Sequence, residues 1–131
     1  PFHYKDLLFM HNGKIEQFKK LKRPIRRSLD DEIYNWIQGS TDSEHFFAMF
    51  LDRLYKSGLM FDAANASIIL RETIQELEQI KQLHGVKESS ALNVVITDGK
   101  CMIASRYISD PNEHANTLYY AAGERYDYHH D

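Results

Sequence analysis

One cysteine in 131 residues, Cys101, leaves no intramolecular disulfide to form. No CxxC pair and no Cys/His ligand spacing accompanies it, so a closed structural zinc site is excluded and a reducing, cytoplasmic setting is the default expectation. No apolar run approaches the roughly 20 residues that cross a bilayer, and the N-terminus has neither a basic nor an apolar leader segment, which argues against a membrane role. Excess positive charge is also missing. The 16 Lys and Arg face 19 Asp and Glu, a net charge of −3, so there is no global basic field to recruit nucleic acid. What is there is ordinary for a folded domain: 43% hydrophobic and 27% charged residues, in a chain long enough to bury one sizeable core. The chain opens on Pro1 with no initiator Met and stops at Asp131 just after an aromatic, His-rich stretch. It is therefore expected to be a piece of a longer protein, a single partial domain over residues 1–131.

Leu7-Leu8-Phe9-Met10 is a short apolar run ending at His11-Asn12-Gly13, the punctuation of a buried strand entering a tight turn. Residues 14–27 are strongly basic, with Pro24 expected to interrupt any long helix there. Ser28-Leu29-Asp30-Asp31 has the look of a helix start, with Ile33, Trp36 and Ile37 on one face and Gly39 as the stop. Thr41 and Glu44 stand in capping-box relation before Phe46, Phe47, Phe50, Leu51 and Leu54, whose spacing predicts a helix to about Lys56 with Gly58 as its end. A long helix is predicted over residues 62–83, with Leu70, Ile74 and Leu77 as its seam, Glu72, Glu76 and Glu78 facing water, and Gly85 beyond its end. Residues 92–97 and 100–108 flank Asp98-Gly99, a strong hairpin signal, and residues 117–121 offer a further strand. A strand, then helices, then several antiparallel strands spell an α+β fold with helices layered on a sheet.

Two constellations carry chemistry. Asn12 can aim a carboxamide N–H, and Gly13 can offer a backbone N–H with no side chain in the way, which together make an oxyanion hole for a tetrahedral acyl intermediate. The plain alternative is a turn dipeptide. Asp42, in Thr41-Asp42-Ser43-Glu44, lies at a helix start where a carboxylate can accept an ammonium group, the plain alternative being helix capping.

Taken in order, Pro1-Phe2, the strand into His11-Asn12-Gly13, and Thr41-Asp42-Ser43-Glu44 opening an aromatic helix resemble the class II glutamine amidotransferase domain. The likeness is nearest to the small stand-alone members associated with glutathione degradation in fungi and ergothioneine synthesis in bacteria. It covers nearly the whole chain and is strongest over residues 1–54, with Ala104-Ser105-Arg106-Tyr107 a weaker echo. The resemblance implies an N-terminal-nucleophile hydrolase fold, an αββα sandwich of antiparallel sheets, here truncated at both ends. It places the oxyanion hole on Asn12 and Gly13 and the grip on the substrate amino group on Asp42. The family nucleophile is an N-terminal cysteine whose α-amine, with a pKa of about 8, serves as general base. Attack on the γ-amide of glutamine, or of a γ-glutamyl compound such as glutathione, gives a thioester and releases ammonia or an amine. Here residue 1 is Pro, and the family's upstream arginine motif for the substrate carboxylate is absent, so an upstream segment is expected to hold both and this chain alone to be inactive.

Other residues tempt less. Cys101 is expected to be buried and inert within a strand rather than a nucleophile. His114 and the pair His129-His130 with Asp131 lack metal-site spacing, and no metal or cofactor is expected. The basic stretch reads as a solvated face, with docking of a phosphorylated or acidic partner as its alternative. His11 supports its loop by hydrogen bonding, and Arg106 is a contact to substrate or to the upstream segment. A small-molecule γ-glutamyl substrate is the expected partner. The competing readings are a catalytically silent amidotransferase-like subunit that binds or regulates a protein partner, and another N-terminal-nucleophile hydrolase cleaving a different amide.

Overall fold

The computed structural model describes residues 1–109 and 118–124. Its order is β1 (Phe2–Tyr4), β2 (Leu7–Asn12), α1 (Phe18–Arg27), α2 (Asp31–Trp36), α3 (Asp42–Ser57), α4 (Ala63–Leu83), β3 (Ser90–Ala91), β4 (Asn93–Thr97), β5 (Cys101–Ser109) and β6 (Leu118–Glu124). The strands form one antiparallel sheet in the order β1-β2-β4-β5, with β3 and β6 both paired to β5. This is the α+β arrangement expected, one sheet and its helical layer among the described residues. No helix among them is long and apolar enough to cross a membrane.

Alternation along the strands decides which face packs. Leu7 and Phe9 of β2, Val94 and Ile96 of β4, and Ile103 and Tyr107 of β5 are buried against the helices. The intervening residues point to the other face, where Leu8, Met10 and Met102 remain 47%, 49% and 48% exposed. The packed side closes on aromatics. Phe9 stacks on Phe47 at 4.7 Å with an 8° interplanar angle, and Trp36 meets Phe47 edge-on at 5.5 Å. Tyr4 ties β1 to α2 by donating its hydroxyl to Glu32 Oε1 at 2.7 Å. Burial, reinforced by that carboxylate, pushes the Tyr4 pKa up to about 12.

The helices correct several sequence expectations. Pro24 does not stop α1, which runs through it. The ring removes one helical hydrogen bond, costing about 3 kcal/mol, but Leu21 and Ile25 on the inner face are fully buried and return about 1.5–3 kcal/mol each. Ser28 closes α1, the helix start expected in Ser28-Leu29-Asp30-Asp31 falls at its last residue, and the short α2 ends at Trp36, before Gly39 is reached. Glu72, Glu76 and Glu78 are not idle solvent charges: the first two flank Arg53 of α3, and the third pairs with Lys81 and accepts from Ser109. Gly58 ends α3 at φ +70° as expected, and the Asp98-Gly99 hairpin joins β4 to β5.

Candidate active site

β2 delivers the turn. Asn12, its last residue, pairs with Asn93 of β4, and Gly13 follows at φ +151°. A β-carbon on Gly13 would lie 2.2 Å from the Ala91 carbonyl oxygen, so only glycine lets the two backbones approach this closely. The turn is then clamped, because Lys14 N–H donates to Ala91 O at 3.1 Å and Ala91 N–H donates to Lys14 O at 2.8 Å.

α3 delivers the carboxylate. Thr41 caps the helix by accepting the Glu44 N–H at 3.3 Å, and Asp42 follows as the first helical residue, half-buried, where the helix end favours negative charge. Asp42 Oδ2 accepts the Ile15 N–H at 2.9 Å and Oδ1 accepts the Ser43 N–H at 2.8 Å. Two of its roughly four acceptor positions are thereby used, which fixes the carboxylate while leaving it capacity for an ammonium donor. The Ile15 bond ties Asp42 to the chain just after Gly13. Gly13 and Asp42 accordingly open onto one hollow of ≈ 530 Å³, whose rim also carries Lys14, Gln17 and Lys19.

A hydrogen-bonded frame surrounds this pair. His11 Nε2 faces the Ala91 carbonyl at 3.1 Å, which makes that nitrogen the donor and Nδ1 the acceptor for the Ser43 hydroxyl at 2.6 Å. His45 carries the opposite tautomer: its Nδ1–H donates to Thr41 O at 2.7 Å, and its Nε2 accepts Arg26 Nε–H at 2.9 Å. Burial, and to a lesser degree the Arg26 charge, holds the His45 pKa below the usual imidazole value despite the bond to Thr41. The expected capping box is only half formed, since the Glu44 carboxylate turns to accept Gln38 N–H and Gly39 N–H at 3.2 and 2.8 Å rather than reaching back to Thr41. It holds the loop entering Asp42.

The remaining candidates are spread more widely. Asn12 is exposed and, by alternation with Leu8 and Met10, belongs to the open face of the sheet rather than to the lining of the hollow. Arg106 of β5 is exposed on that same face. Val94 lies opposite Ser105 and Leu92 N–H bonds Tyr107 O, so Arg106 falls across from Asn93, two strands or about 10 Å from Asn12. Cys101 opens β5 and is half-buried, not enclosed as expected. It lies five residues, about 16 Å, along the strand from Arg106. His114, His129, His130 and Asp131 lie outside the described residues. Among those described, no three His, Cys, Asp or Glu side chains group as metal ligands would.

Three participants escaped the sequence. Ala91 contributes through its backbone, which no local pattern announces, and Ser43 was hidden inside a capping signal. Asn93, between Asn12 and Arg106, has a buried Oδ1 with no hydrogen-bond partner. Its signal was a polar side chain inside the apolar run Leu92-Asn93-Val94-Val95-Ile96.

Comparison with known proteins agrees with this frame. The family model for class II glutamine amidotransferases matches residues 1–119. The chain is similar to the probable glutamine amidotransferase DUG3 of Saccharomyces cerevisiae, 37% identical over 137 residues, covering 96% of this chain and 38% of the yeast protein. Among solved structures it is similar to a glutamine aminotransferase class-II domain protein from Silicibacter pomeroyi, with a TM-score of 0.69 and 27% identity over 93% of this chain and 57% of that one. The chain thus spans well under two thirds of the length of either relative.

Proposed function

The chain belongs to the class II glutamine amidotransferase family, and from that membership we propose that the whole protein hydrolyses the γ-glutamyl amide of glutamine, or of a γ-glutamyl compound such as glutathione. Gly13, which lines the hollow, and Asn12, the residue before it on the open face of the sheet, donate to the oxygen that becomes negative as a thiolate adds to the γ-carbonyl carbon, which puts the reacting amide at the turn between the two. Asp42 holds the substrate α-ammonium group, and Arg106 contacts the substrate from the open face of the sheet. Collapse of the tetrahedral intermediate breaks the C–N bond and leaves a thioester, with the departing nitrogen taking the proton removed from the thiol. Water then releases glutamate and restores the thiol. Cys101 is not that thiol, since it sits at the far end of the sheet from Asn12.

The observation supporting this reading is the one hollow onto which Gly13 and Asp42 both open, joined by the bond from Ile15 N–H to Asp42. A carboxylate that merely capped a helix would not need a second element of chain brought against it. The test is glutamate release from glutamine and from glutathione by the whole protein. Asn12→Ala is expected to lower turnover by about 10²–10³. Unchanged turnover in that variant would remove the oxyanion assignment. A folded whole protein that binds γ-glutamyl ligands yet releases no glutamate would favour the silent-subunit reading.

A further inference from the structure

The densest positive charge among the described residues lies on α1, beside the hollow that Gly13 and Asp42 share. The ten-residue helix α1 carries Lys19, Lys20, Lys22, Arg23, Arg26 and Arg27 and no acidic residue. Five of these cations, all but Lys20, line a concavity of ≈ 570 Å³ closed on one side by Tyr34 of α2. No carboxylate lines it. Of the acids in the α1–α2 segment, Asp30 pairs with Lys56 and Glu32 accepts from the Tyr4 hydroxyl, while Asp31 is exposed at the start of α2 and does not line the concavity. Lys19, Lys22, Arg23 and Arg27 form no ion pair among the described residues. Like charges gathered in a hollow repel one another, and a bound polyanion relieves that repulsion.

We propose that this concavity on α1 is a binding site for a small molecule carrying two or more linked phosphates. Size supports a small ligand, since sites of that kind typically enclose about 300–1,000 Å³. α1 is only about 15 Å long, too short a basic stripe to follow a nucleic-acid backbone, and the chain's net charge is negative. An acidic peptide spreads its carboxylates about 3.3 Å apart per extended residue, whereas linked phosphates concentrate comparable charge in a fraction of that length. The fixed guanidinium of Arg26 also suits planar, forked contact with phosphate oxygens.

The site is wired to the neighbouring hollow. Arg26 Nη2–H donates to Gly39 O at 3.1 Å, and Gly39 belongs to the loop that the Glu44 carboxylate holds just ahead of Asp42. Lys19 lines both hollows. An anion bound by Arg26 and Lys19 therefore engages the same side chains that hold the entry loop and line the wall of the candidate active site.

Calorimetric titration of the whole protein with sodium tripolyphosphate tests this directly. The expected result is saturable one-site binding that weakens at least tenfold when salt rises from about 50 to about 200 mM. The combined variant Lys19→Ala/Arg23→Ala/Arg27→Ala, at three exposed positions, is expected to weaken it at least tenfold further, while Lys87→Ala/Lys100→Ala leaves it unchanged. A circular dichroism spectrum matching wild type keeps the comparison valid, and Arg23→Lys/Arg27→Lys is expected to retain most of the affinity. Absence of saturable binding to the wild type, or equal binding by the triple variant, would overturn the proposal. Displacement of tripolyphosphate by an oligoglutamate peptide of matching affinity would overturn it in favour of an acidic protein partner. Because this experiment reads binding on α1, it is independent of whether glutamate release is observed.

Discussion

The Ser43 hydroxyl stands 2.6 Å from His11 Nδ1, so the last strand residues before Asn12 and the first turn of the helix carrying Asp42 are pinned to each other by a single imidazole. The same ring reaches Ala91 O with its other nitrogen, joining three elements separated by as many as 80 positions in sequence. His11→Ala is expected to remove two partly buried hydrogen bonds and to cost about 1–3 kcal/mol of stability, measured by urea denaturation. It should also raise KM for the γ-glutamyl substrate more than it lowers kcat, since Ser43 and Asp42 lose their common anchor.

Gly13→Ala attacks the other side of that junction. The new methyl group would meet the Ala91 carbonyl at 2.2 Å and sit on a backbone at φ +151°, so either the turn or the clamp on Lys14 has to give way. A stability loss of about 1–3 kcal/mol is expected, with glutamate release falling by at least about 10²-fold because the backbone donor moves with the turn. A variant with wild-type melting temperature and turnover would show that the close approach is dispensable.

Asp42→Asn separates charge from scaffold. The amide oxygen can still accept one backbone N–H, so folding should change by no more than about 1 kcal/mol, but the charge that attracts an ammonium group is gone. Steady-state kinetics are expected to show KM at least about tenfold higher with kcat less affected, the pattern of lost uniform binding. A fall in kcat at unchanged KM would refute the anchoring role.

His45 gives a stability profile with a definite sign. Its imidazole is buried neutral, with Nε2 accepting from Arg26, so protonation sets an N–H against an N–H. The folded-state pKa is lowered, and therefore the unfolded chain binds the proton more readily than the folded one. The contribution of His45 is complete above its unfolded value of about 6.5 and is lost as pH falls from there toward the lower folded value. Thermal melts in steps from about pH 7.5 downward should show this decline, and His45→Gln should flatten that part of the curve.

Much of this arrangement could be read in the residues themselves because its signals are local. The Asp98-Gly99 hairpin, the Thr41 cap before an aromatic helix and the strand ending in Asn12-Gly13 each announce themselves within a few positions. Pro24 misled because a local rule was outweighed by tertiary burial of Leu21 and Ile25. Glu44 misled for a related reason: its spacing from Thr41 fits a capping box, but two amide donors at Gln38 and Gly39 compete for the carboxylate and win. The approach of Gly13 to Ala91 and the joining of Ile15 to Asp42 depend on contacts 78 and 27 residues apart, which no window along the chain contains.

The uncovered side of the sheet has a chemical consequence of its own. Met10 and Met102 present their thioethers there at 49% and 48% exposure, on the same surface as Asn12 and Arg106, whereas Met49 sits in the core at 2%. Peroxide should accordingly convert the first two to sulfoxides while sparing the third, turning an apolar surface polar and chiral. Any layer seated over Asn12 would shield those sulfurs, so their oxidation becomes a footprint of whether this face of the sheet is roofed.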